Sequence, residues 1–355
     1  MRVLTVIGNR PQFVKAAAVS GPLRESHEEI LLHTGQHYDD ELSTIFVEEL
    51  GIPRPEIELG IGGGSNTEQT GRMLEALGPL LASEAPDAVL VYGDTNSTLA
   101  GALAGAQAQV PVAHVEAGMR SGDRTMPEEL NRILTDHASD LLLCPSQVAV
   151  ENLAIEGLGA RAELVGDVMV DVAELVRPRA AKDSGPLEQA GVERGGYVLA
   201  TAHRAANVDD PDRLARLTEL LAAVPDPVVL PLHPRTRARL EEAGLLAGLE
   251  ESGVKVLAPL GYPAFTALLL GAKAVLTDSG GVQKEAYLAG IPCVTLRDTT
   301  EWVETVDLGW NRLVDLDAEK ALAALQEQPS GARPAVYGDG RAGHHVVAAL
   351  SQLAG

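Results

Sequence analysis

Cysteine is almost absent from this 355-residue sequence, which contains only Cys144 and Cys293. Neither belongs to a CxxC pair or lies near a histidine at ligand spacing, so we expect two buried thiols and no metal site. Aromatic residues are also rare, at 3% of the chain against 45% hydrophobic residues. This composition is typical of an α/β protein built from alanine, leucine, valine and glycine, and the length suits two domains.

Long apolar runs and positive charge are scarce as well. No apolar run approaches the ~20 residues of a membrane span, and a strand begins directly after Met1 without a charged-then-apolar leader. We therefore expect a cytoplasmic protein with no membrane partner. Acidic residues number 50 against 28 lysines and arginines, and the resulting net charge of −22 argues against a nucleic-acid partner.

One stretch predicts a strand, a glycine turn and a helix in immediate succession. An apolar strand leads into Ser279, Gly280 and Gly281, and a helical pattern follows. The free N–H groups at such a helix start bind anions, and the Ser279 hydroxyl adds another donor. Glu285 lies further along the helix, within reach of a sugar hydroxyl beside a phosphate. A strand–helix turn without a ligand is the alternative reading of these residues alone.

Two carboxylates follow two strands of the first half of the chain. Asp94 comes after a strand at 88–92, and Glu116 comes after a strand at 112–115. If these strands are parallel neighbours, each charge raises the pKa of the other carboxyl, which suits acid/base chemistry. The alternative for Asp94 is a structural helix N-cap.

Two cations near the start of the first helix also indicate a ligand site. Arg10 lies in the turn after the strand at 2–7, and Lys15 lies one turn into the helix that follows. Positive charge at this end of a helix is unfavourable unless an anion is close, so we expect a ligand anion here; ordinary surface cations are the alternative. Glu128 opens another helix, where complementing the helix dipole is the simpler explanation.

The second half of the chain repeats this organisation. One strand ends in His203-Arg204 and another in His233-Pro234-Arg235. Histidine and arginine converging on the glycine turn indicate a diphosphate or nucleotide pocket, with histidine packing as the alternative. A segment at 177–196 resembles a link, so we predict domains at 1–176 and 177–340, with a C-terminal helix at 341–355 packing back on the first.

Several blocks of the sequence resemble the non-hydrolysing UDP-N-acetylglucosamine 2-epimerases over nearly the whole chain. They are Gly8-Asn9-Arg10-Pro11-Gln12, Gly93-Asp94-Thr95, His114-Val115-Glu116-Ala117-Gly118-Met119-Arg120, Pro127-Glu128-Glu129-Leu130-Asn131-Arg132, His203-Arg204, Asp278-Ser279-Gly280-Gly281-Val282-Gln283-Lys284-Glu285 and Arg297-Asp298-Thr299-Thr300-Glu301. The resemblance implies the GT-B arrangement, in which two Rossmann-like domains with doubly wound parallel sheets face each other across a cleft.

The same resemblance implies the roles of particular residues. It also implies a UDP-sugar substrate, no cofactor and a homodimer. The family reaction eliminates UDP to a 2-acetamidoglucal and adds it back with C2 inverted. The resemblance assigns the acid/base set to Lys15, Asp94, Glu116, Glu128 and His203, and diphosphate binding to Ser279, Gly280, Gly281, Arg10 and His203. It assigns the ribose to Glu285, the uracil to Phe265 and the backbone near Leu260, and an activating second UDP-sugar to Gln36 and His37.

Three departures from the family pattern leave open which sugar the UDP carries. Gln12 stands where an acidic residue is usual, His203-Arg204 is followed by two alanines, and Trp302 replaces an arginine that often meets the ligand. The subgroup that contains epimerases of UDP-2,3-diacetamido-glucuronate is resembled by three sequence forms: Pro11-Gln12-Phe13, Glu301-Trp302-Val303-Glu304 and Pro231-Leu232-His233-Pro234-Arg235-Thr236-Arg237. The family as a whole leads us to expect the UDP-GlcNAc to UDP-ManNAc pair. The diacetamido uronate is one alternative substrate, and a GT-B glycosyltransferase is an alternative of another class.

Overall fold

The computed structural model describes residues 1–36, 52–329 and 331–354. Its contacts divide the chain into two compact units. Unit 1 contains Met1–Leu175 together with Ala335–Gly355, and unit 2 contains Val176–Pro334. None of the helices in the described ranges is both long and apolar enough to cross a bilayer.

Unit 1 is built on a parallel sheet. Its described strands are β1 (Arg2–Ile7), β2 (Glu28–His33), β3 (Ile57–Glu58), β4 (Ala88–Tyr92), β5 (Val112–Val115), β6 (Leu141–Cys144) and β7 (Ala162–Leu164), in the spatial order β3-β2-β1-β4-β5-β6-β7. The middle strands are almost entirely buried, as expected for a sheet that helices cover on both faces.

Six helices follow the strands of unit 1 within the described residues. They are α1 (Arg10–Ser26), α2 (Asn66–Glu84), α3 (Asn96–Gln107), α4 (Pro127–Ala138), α5 (Gln147–Ile155) and α6 (Val168–Ala180), and the division between the units falls within α6. The Asn9 side chain accepts a hydrogen bond from the Gln12 N–H at 3.2 Å and caps helix α1. Arg10 therefore begins the helix instead of lying in the turn before it.

Unit 2 has a second parallel sheet. Its strands are β8 (Val198–Thr201), β9 (Val228–Pro231), β10 (Lys255–Leu257), β11 (Ala274–Thr277), β12 (Cys293–Thr295) and β13 (Asn311–Leu313), in the order β10-β9-β8-β11-β12-β13. Its helices are α7 (Gly185–Ala190), α8 (Ala205–Val208), α9 (Pro211–Ala223), α10 (Pro234–Glu242), α11 (Leu246–Glu251), α12 (Tyr262–Gly271), α13 (Gly280–Ala289), α14 (Val303–Asp307) and α15 (Ala318–Gln326). The segment at 177–196 is thus partly helical, and Leu187 of α7 is buried in the core beside Tyr197.

The last helix, α16 (Ala342–Leu350), belongs to unit 1 and packs on α1. The Asp171 carboxylate accepts hydrogen bonds from the first two N–H groups of α16, those of Ala342 at 3.0 Å and Gly343 at 2.9 Å. Gly343 lies so close to the Ala18 carbonyl that a methyl group would overlap it. Unit 1 is therefore assembled from both ends of the chain.

Each sheet changes direction at a defined point. In unit 1 the order reverses between β1 and β4, and in unit 2 it reverses between β8 and β11. Ligands of doubly wound sheets bind beyond the carboxyl ends of the strands at such a reversal. Asp94 follows β4 and Asp278 follows β11, so both lie at these reversals. The predicted fold of two doubly wound parallel-sheet domains is confirmed.

Candidate active site

The two carboxylates predicted from the first half lie at neighbouring strand ends. Strands β4 and β5 pair in parallel, with Tyr92 opposite Val115, so Asp94 and Glu116 follow adjacent strands. The Lys15 ammonium of α1 forms an ion pair with Glu116. Only 13% of the Lys15 side chain and 10% of the Glu116 side chain are exposed. Two carboxylates and a cation thus share one edge of this sheet.

Gly93 leaves room for the Lys15–Glu116 ion pair. Its φ of 64° lies in the left-handed region, and a Cβ there would lie 3.0 Å from Lys15 Nζ and 3.3 Å from Glu116 Oε2. A side chain at this position would be strained and would press on the ion pair. The glycine before Asp94 is therefore required by the charged groups around it.

Asp94 is held by helix α4. The Arg132 guanidinium donates to Asp94 Oδ2 at 2.5 Å and to Glu129 at 2.8 Å, while the Asn131 side chain donates to the Asp94 carbonyl at 3.0 Å. Glu129 is buried and also accepts from the Ser121 and Gly122 N–H groups. Arginine pairs of this kind fix a carboxylate in direction as well as in charge.

Glu128 is placed differently from its neighbour. It is exposed on the first turn of α4, whereas Glu129, one residue later, is buried at 1% exposure. The resemblance assigns Glu128 to the acid/base set, whereas in the structure it is Glu129 that belongs to the hydrogen-bond network around Asp94. A catalytic role for Glu128 remains a prediction.

Glu116 has an unusual backbone. Its φ is 71°, a conformation in which a residue with a Cβ is strained and which occurs often at functional sites. The Glu116 and Ala117 N–H groups both donate to the Leu143 carbonyl, at 3.0 and 3.2 Å. Gly118 follows with a φ of 78°, and a Cβ there would overlap the Ala149 carbonyl. Backbone contacts on several sides hold this turn in place.

A buried network lies behind the two turns. The His114 ring hydrogen-bonds to Asp136 through Nδ1 and to the Gly93 carbonyl through Nε2, with both distances 2.7 Å. The other Asp136 oxygen accepts from the Gly118 N–H at 3.1 Å and from Arg120 at 2.7 Å. Burial alone would raise the pKa of Asp136, but His114 and Arg120 outweigh it and hold that pKa below its ordinary value.

Gln12 and Gln36 also lie at this edge of the sheet. Gln12 accepts from the Gly8 N–H at 2.7 Å and donates to the Tyr92 carbonyl at 2.8 Å and to Thr98 at 2.9 Å. An amide can donate and accept hydrogen bonds, whereas a carboxylate can only accept them. These contacts explain glutamine at this position. Gln36 accepts from the Ser97 N–H and hydroxyl.

Two predicted positions receive no side-chain description. Arg10 begins α1, and the structure does not describe its side chain. His37 lies outside the described residues.

In unit 2 a buried carboxylate joins the two central strand ends. Asp278 is fully buried. It accepts from the His203 N–H at 3.1 Å, the Arg204 N–H at 3.0 Å and the Asn207 side chain at 3.1 Å. The His203 ring lies 3.5 Å from Asp278 and 5.7 Å from the His233 ring, between centroids. The two His-plus-Arg strand ends and the glycine turn therefore meet at one edge, as predicted for unit 2.

The glycine turn opens a helix of ten residues. Ser279 precedes α13, and its side chain does not cap the helix. The Glu301 carboxylate lies so close to Gly280 that a Cβ would overlap it, whereas Gly281 is exposed and a Cβ there meets only Ser279 Oγ at 4.0 Å. Glu285 is half-buried one and a half turns further along the helix. The turn thus leaves room for a ligand on the Gly281 side.

Trp302 lies inside unit 2, with 3% exposure. The Lys284 ammonium lies 4.2 Å above the centre of its ring, and Arg297 pairs with Glu301 at 3.0 Å. The tryptophan that replaces the usual arginine therefore packs against a buried lysine.

Leu260 and Phe265 are half-buried and pack on the core that contains Leu199, Val229 and Leu268. Phe265 lies on α12, whose first turn begins at Tyr262. A partly exposed aromatic ring near the start of a helix is suited to flank a base.

Sequence reasoning missed the groups behind the site. Asp278, Asp136 and Glu129 are buried carboxylates that hold strand ends and turns, and Arg132 holds Asp94. Asp278 and Arg132 belong to the blocks that carry the resemblance. Asp278 directly precedes Ser279 in the sequence, and Arg132 lies in the same block as Glu128. These positions beside assigned site residues are the sequence signal that could have identified them.

Two all-parallel doubly wound units, each with polar groups at its strand-order reversal, make this a two-domain α/β protein of Rossmann-like architecture. A family model described as UDP-N-acetylglucosamine 2-epimerase matches residues 23–351. The chain belongs to the UDP-N-acetylglucosamine 2-epimerase family, and the predicted resemblance is confirmed.

Relatives match this chain over nearly its whole length. The UDP-2,3-diacetamido-2,3-dideoxy-D-glucuronate 2-epimerase of Pseudomonas aeruginosa is 48% identical over 99% of this chain and 100% of its own length. The UDP-N-acetylglucosamine 2-epimerase of Methanocaldococcus jannaschii is 39% identical over 99% of each chain. A crystal structure of the latter in complex with UDP-GlcNAc and UDP has a TM-score of 0.93 and covers 99% of this chain and 100% of that one.

Proposed function

We propose that this chain inverts C2 of a UDP-linked 2-acetamido sugar without hydrolysing it. The observation that carries the proposal is the placement of Asp94 and Glu116 at the ends of adjacent parallel strands, with Lys15 paired to Glu116. A C2 proton is not next to a carbonyl, so its direct removal is difficult. Carboxylates flanked by cations suit an elimination route, in which proton transfer accompanies loss of the nucleotide.

In the first step of the proposed reaction, a carboxylate of the site takes the C2 proton. The C2–H electrons form the C1=C2 bond, and the C1–O bond to the diphosphate breaks and releases UDP beside the 2-acetamidoglucal. In the second step, an acid delivers a proton to the other face of C2 while UDP oxygen returns to C1. Atoms and charge balance without a redox cofactor. We assign the proton transfers to the set Asp94, Glu116 and Glu128, with Lys15 and His203 supporting the charges that develop.

We assign the nucleotide to unit 2. The N-terminus of α13 follows β11 at the point where the strand order reverses, and free N–H groups there favour a diphosphate. Ser279, Gly280 and Gly281 supply these groups, and the His203 and Arg10 side chains complete the diphosphate contacts. Glu285 receives the ribose hydroxyls, and Phe265 with the backbone near Leu260 flanks the uracil.

Two sugars are candidates. UDP-GlcNAc, converted to UDP-ManNAc, is the substrate of the family name, and the M. jannaschii relative is crystallised with UDP-GlcNAc and UDP. The 48% identity to the P. aeruginosa enzyme favours the diacetamido uronate as the second candidate. The family match favours an isomerase over the glycosyltransferase alternative.

The deciding experiment follows deuterium from solvent by NMR. The protein is incubated in deuterated water with UDP-GlcNAc and, separately, with UDP-2,3-diacetamido-glucuronate. Deuterium at C2 with the nucleotide intact supports the proposal, and the faster substrate identifies the sugar. Intact, unlabelled sugar in both samples contradicts it, and release of free ManNAc with UDP contradicts the non-hydrolysing reaction.

The proposal also includes the form expected from the family, a cytoplasmic homodimer. Gln36 and His37 are the proposed contacts of an activating second UDP-sugar. Light scattering of the purified protein tests the dimer, because a monomer mass at micromolar concentration contradicts it. A rate that rises more steeply than the first power of UDP-GlcNAc concentration is expected from activation, and a hyperbolic curve contradicts it.

A further inference from the structure

His114 lies between the two turns that carry the proposed acid/base residues. It occupies β5 two residues before Glu116, and neither its side chain nor that of Asp136 is exposed. Its Nε2 lies 2.7 Å from the Gly93 carbonyl, and its Nδ1 lies 2.7 Å from Asp136 Oδ1. The ring therefore connects the residue before Asp94 with a carboxylate on α4.

Both partners of the ring are acceptors. A carbonyl oxygen and an ionised carboxylate only accept hydrogen bonds, so a ring that makes both bonds carries a proton on each nitrogen. The ionised form of Asp136 is favoured by Arg120, whose Nη1 donates to Oδ2 at 2.7 Å, and by the Gly118 N–H at 3.1 Å. A neutral ring would leave one of the two buried bonds unmade.

We propose that His114 is a positioning residue that, as a doubly protonated ring, fastens the Gly93 turn directly and the Gly118 turn through Asp136. This inference rests on the proposed function, because it gives these turns the task of holding Asp94 and Glu116. Glu116 keeps a φ of 71°, and a strained conformation persists only where its surroundings determine it from several sides. His114 and Asp136 supply two of these restraints.

The first test detects the ring protons and needs no enzyme activity. In protein labelled with ¹⁵N-histidine, the His114 ring at pH 7.5 should show a proton on each nitrogen, both protected from exchange with water. His114→Asn removes this pair of signals and assigns it. His137→Asn is the matched control, because His137 lies on α4 next to Asp136 and is half-exposed. A His114 ring with one bare nitrogen overturns the proposal.

The second test separates positioning from general stability. His114→Asn should lower kcat about 100-fold, the loss expected when a reacting group is displaced by about 1 Å, while the dissociation constant for UDP changes less than about twofold. His137→Asn should keep kcat and UDP affinity. A folded His114→Asn protein with near-normal kcat overturns the proposal, and so does a variant that loses kcat and UDP affinity alike.

Asp136→Asn covers the case in which His114→Asn does not fold. An asparagine can donate to Nδ1, so the ring should keep the proton that binds the Gly93 carbonyl and lose the other. We expect one ring proton instead of two and a fall in kcat of at least tenfold. Two retained ring protons contradict the proposal. If the wild-type protein epimerises neither nucleotide sugar, the proposed function fails while the ring-proton measurement still decides the state of His114.

Discussion

Replacing Glu116 by glutamine removes a charge and a proton-accepting group while keeping the size of the side chain. The amide retains an oxygen that can face the Lys15 ammonium, and its backbone can keep the φ of 71° at the same strain as glutamate. Proton transfer by a positioned side chain contributes about 10²–10⁴-fold. We therefore expect kcat to fall by that factor, which corresponds to about 3–5 kcal/mol in the barrier.

The same substitution has a smaller effect on stability. Lys15 and Glu116 are mostly buried, with 13% and 10% of their side chains exposed. A hydrogen bond to a charged group contributes roughly 2 kcal/mol. In a unit of about 150–250 residues, that loss lowers the melting temperature by roughly 4–8 °C. At 25 °C the variant should be folded, so lost turnover reports chemistry.

The assay combines three measurements on one preparation. Deuterium incorporation at C2 gives turnover, calorimetric titration gives UDP affinity, and a thermal scan gives stability. Glu75→Gln is the matched control, because Glu75 is exposed on α2 of the same unit and should change none of them. Near-normal turnover of Glu116→Gln with normal UDP affinity would refute the acid/base assignment of this carboxylate.

Three further predictions concern single contacts. Gln12→Glu should lower the free energy of unfolding by about 2 kcal/mol or more, since a carboxylate cannot donate to the strand-end carbonyl that Gln12 now binds; urea denaturation measures this. Gly280→Ala should weaken UDP binding at least tenfold, because the added methyl overlaps the Glu301 carboxylate at the turn; calorimetric titration measures this. Cys144 and Cys293 should not react with Ellman's reagent at pH 8 until the protein is unfolded, because burial raises the pKa of each thiol to about 12.

The first two predictions have matched controls. Gln147→Glu makes the same chemical change at an exposed position that opens α5, where added negative charge is tolerated, so stability should stay within about 0.5 kcal/mol. Gly248→Ala adds a methyl where no atom lies within 4 Å, and UDP affinity should not change. An equal loss in variant and control would contradict the assigned contact, and rapid native thiol reaction would contradict the burial of the cysteines.

The strand ends were predictable because parallel sheets follow a simple local rule. A short apolar run, a polar turn and a helix recur along the chain, and the carboxyl ends of such strands lie at one edge. The sequence alone therefore predicts that Asp94 and Glu116 lie at the same edge of the first sheet. The same rule predicts that His203 and the glycine turn lie at one edge of the second sheet, but it does not predict that their strands are neighbours.

Side-chain direction was not predictable in the same way. Glu128 and Glu129 are adjacent in the first turn of α4, and only the rotation of that helix against the sheet decides which of them is buried. Asp278 directly precedes the glycine turn, yet its partner His203 lies 75 residues earlier in the sequence. Contacts of that separation leave no local pattern, because they depend on strand order and packing.

The packing of α16 on α1 has a consequence for how the protein emerges from the ribosome. Because α16 follows unit 2 in the chain, α1 leaves the exit tunnel long before the helix that covers it. Unit 2 is made of one continuous segment and can complete its sheet during translation. Unit 1 must wait with an uncovered face until Ala342 and Gly343 reach the Asp171 carboxylate, so a nascent chain stalled before these residues should display α1 to chaperones.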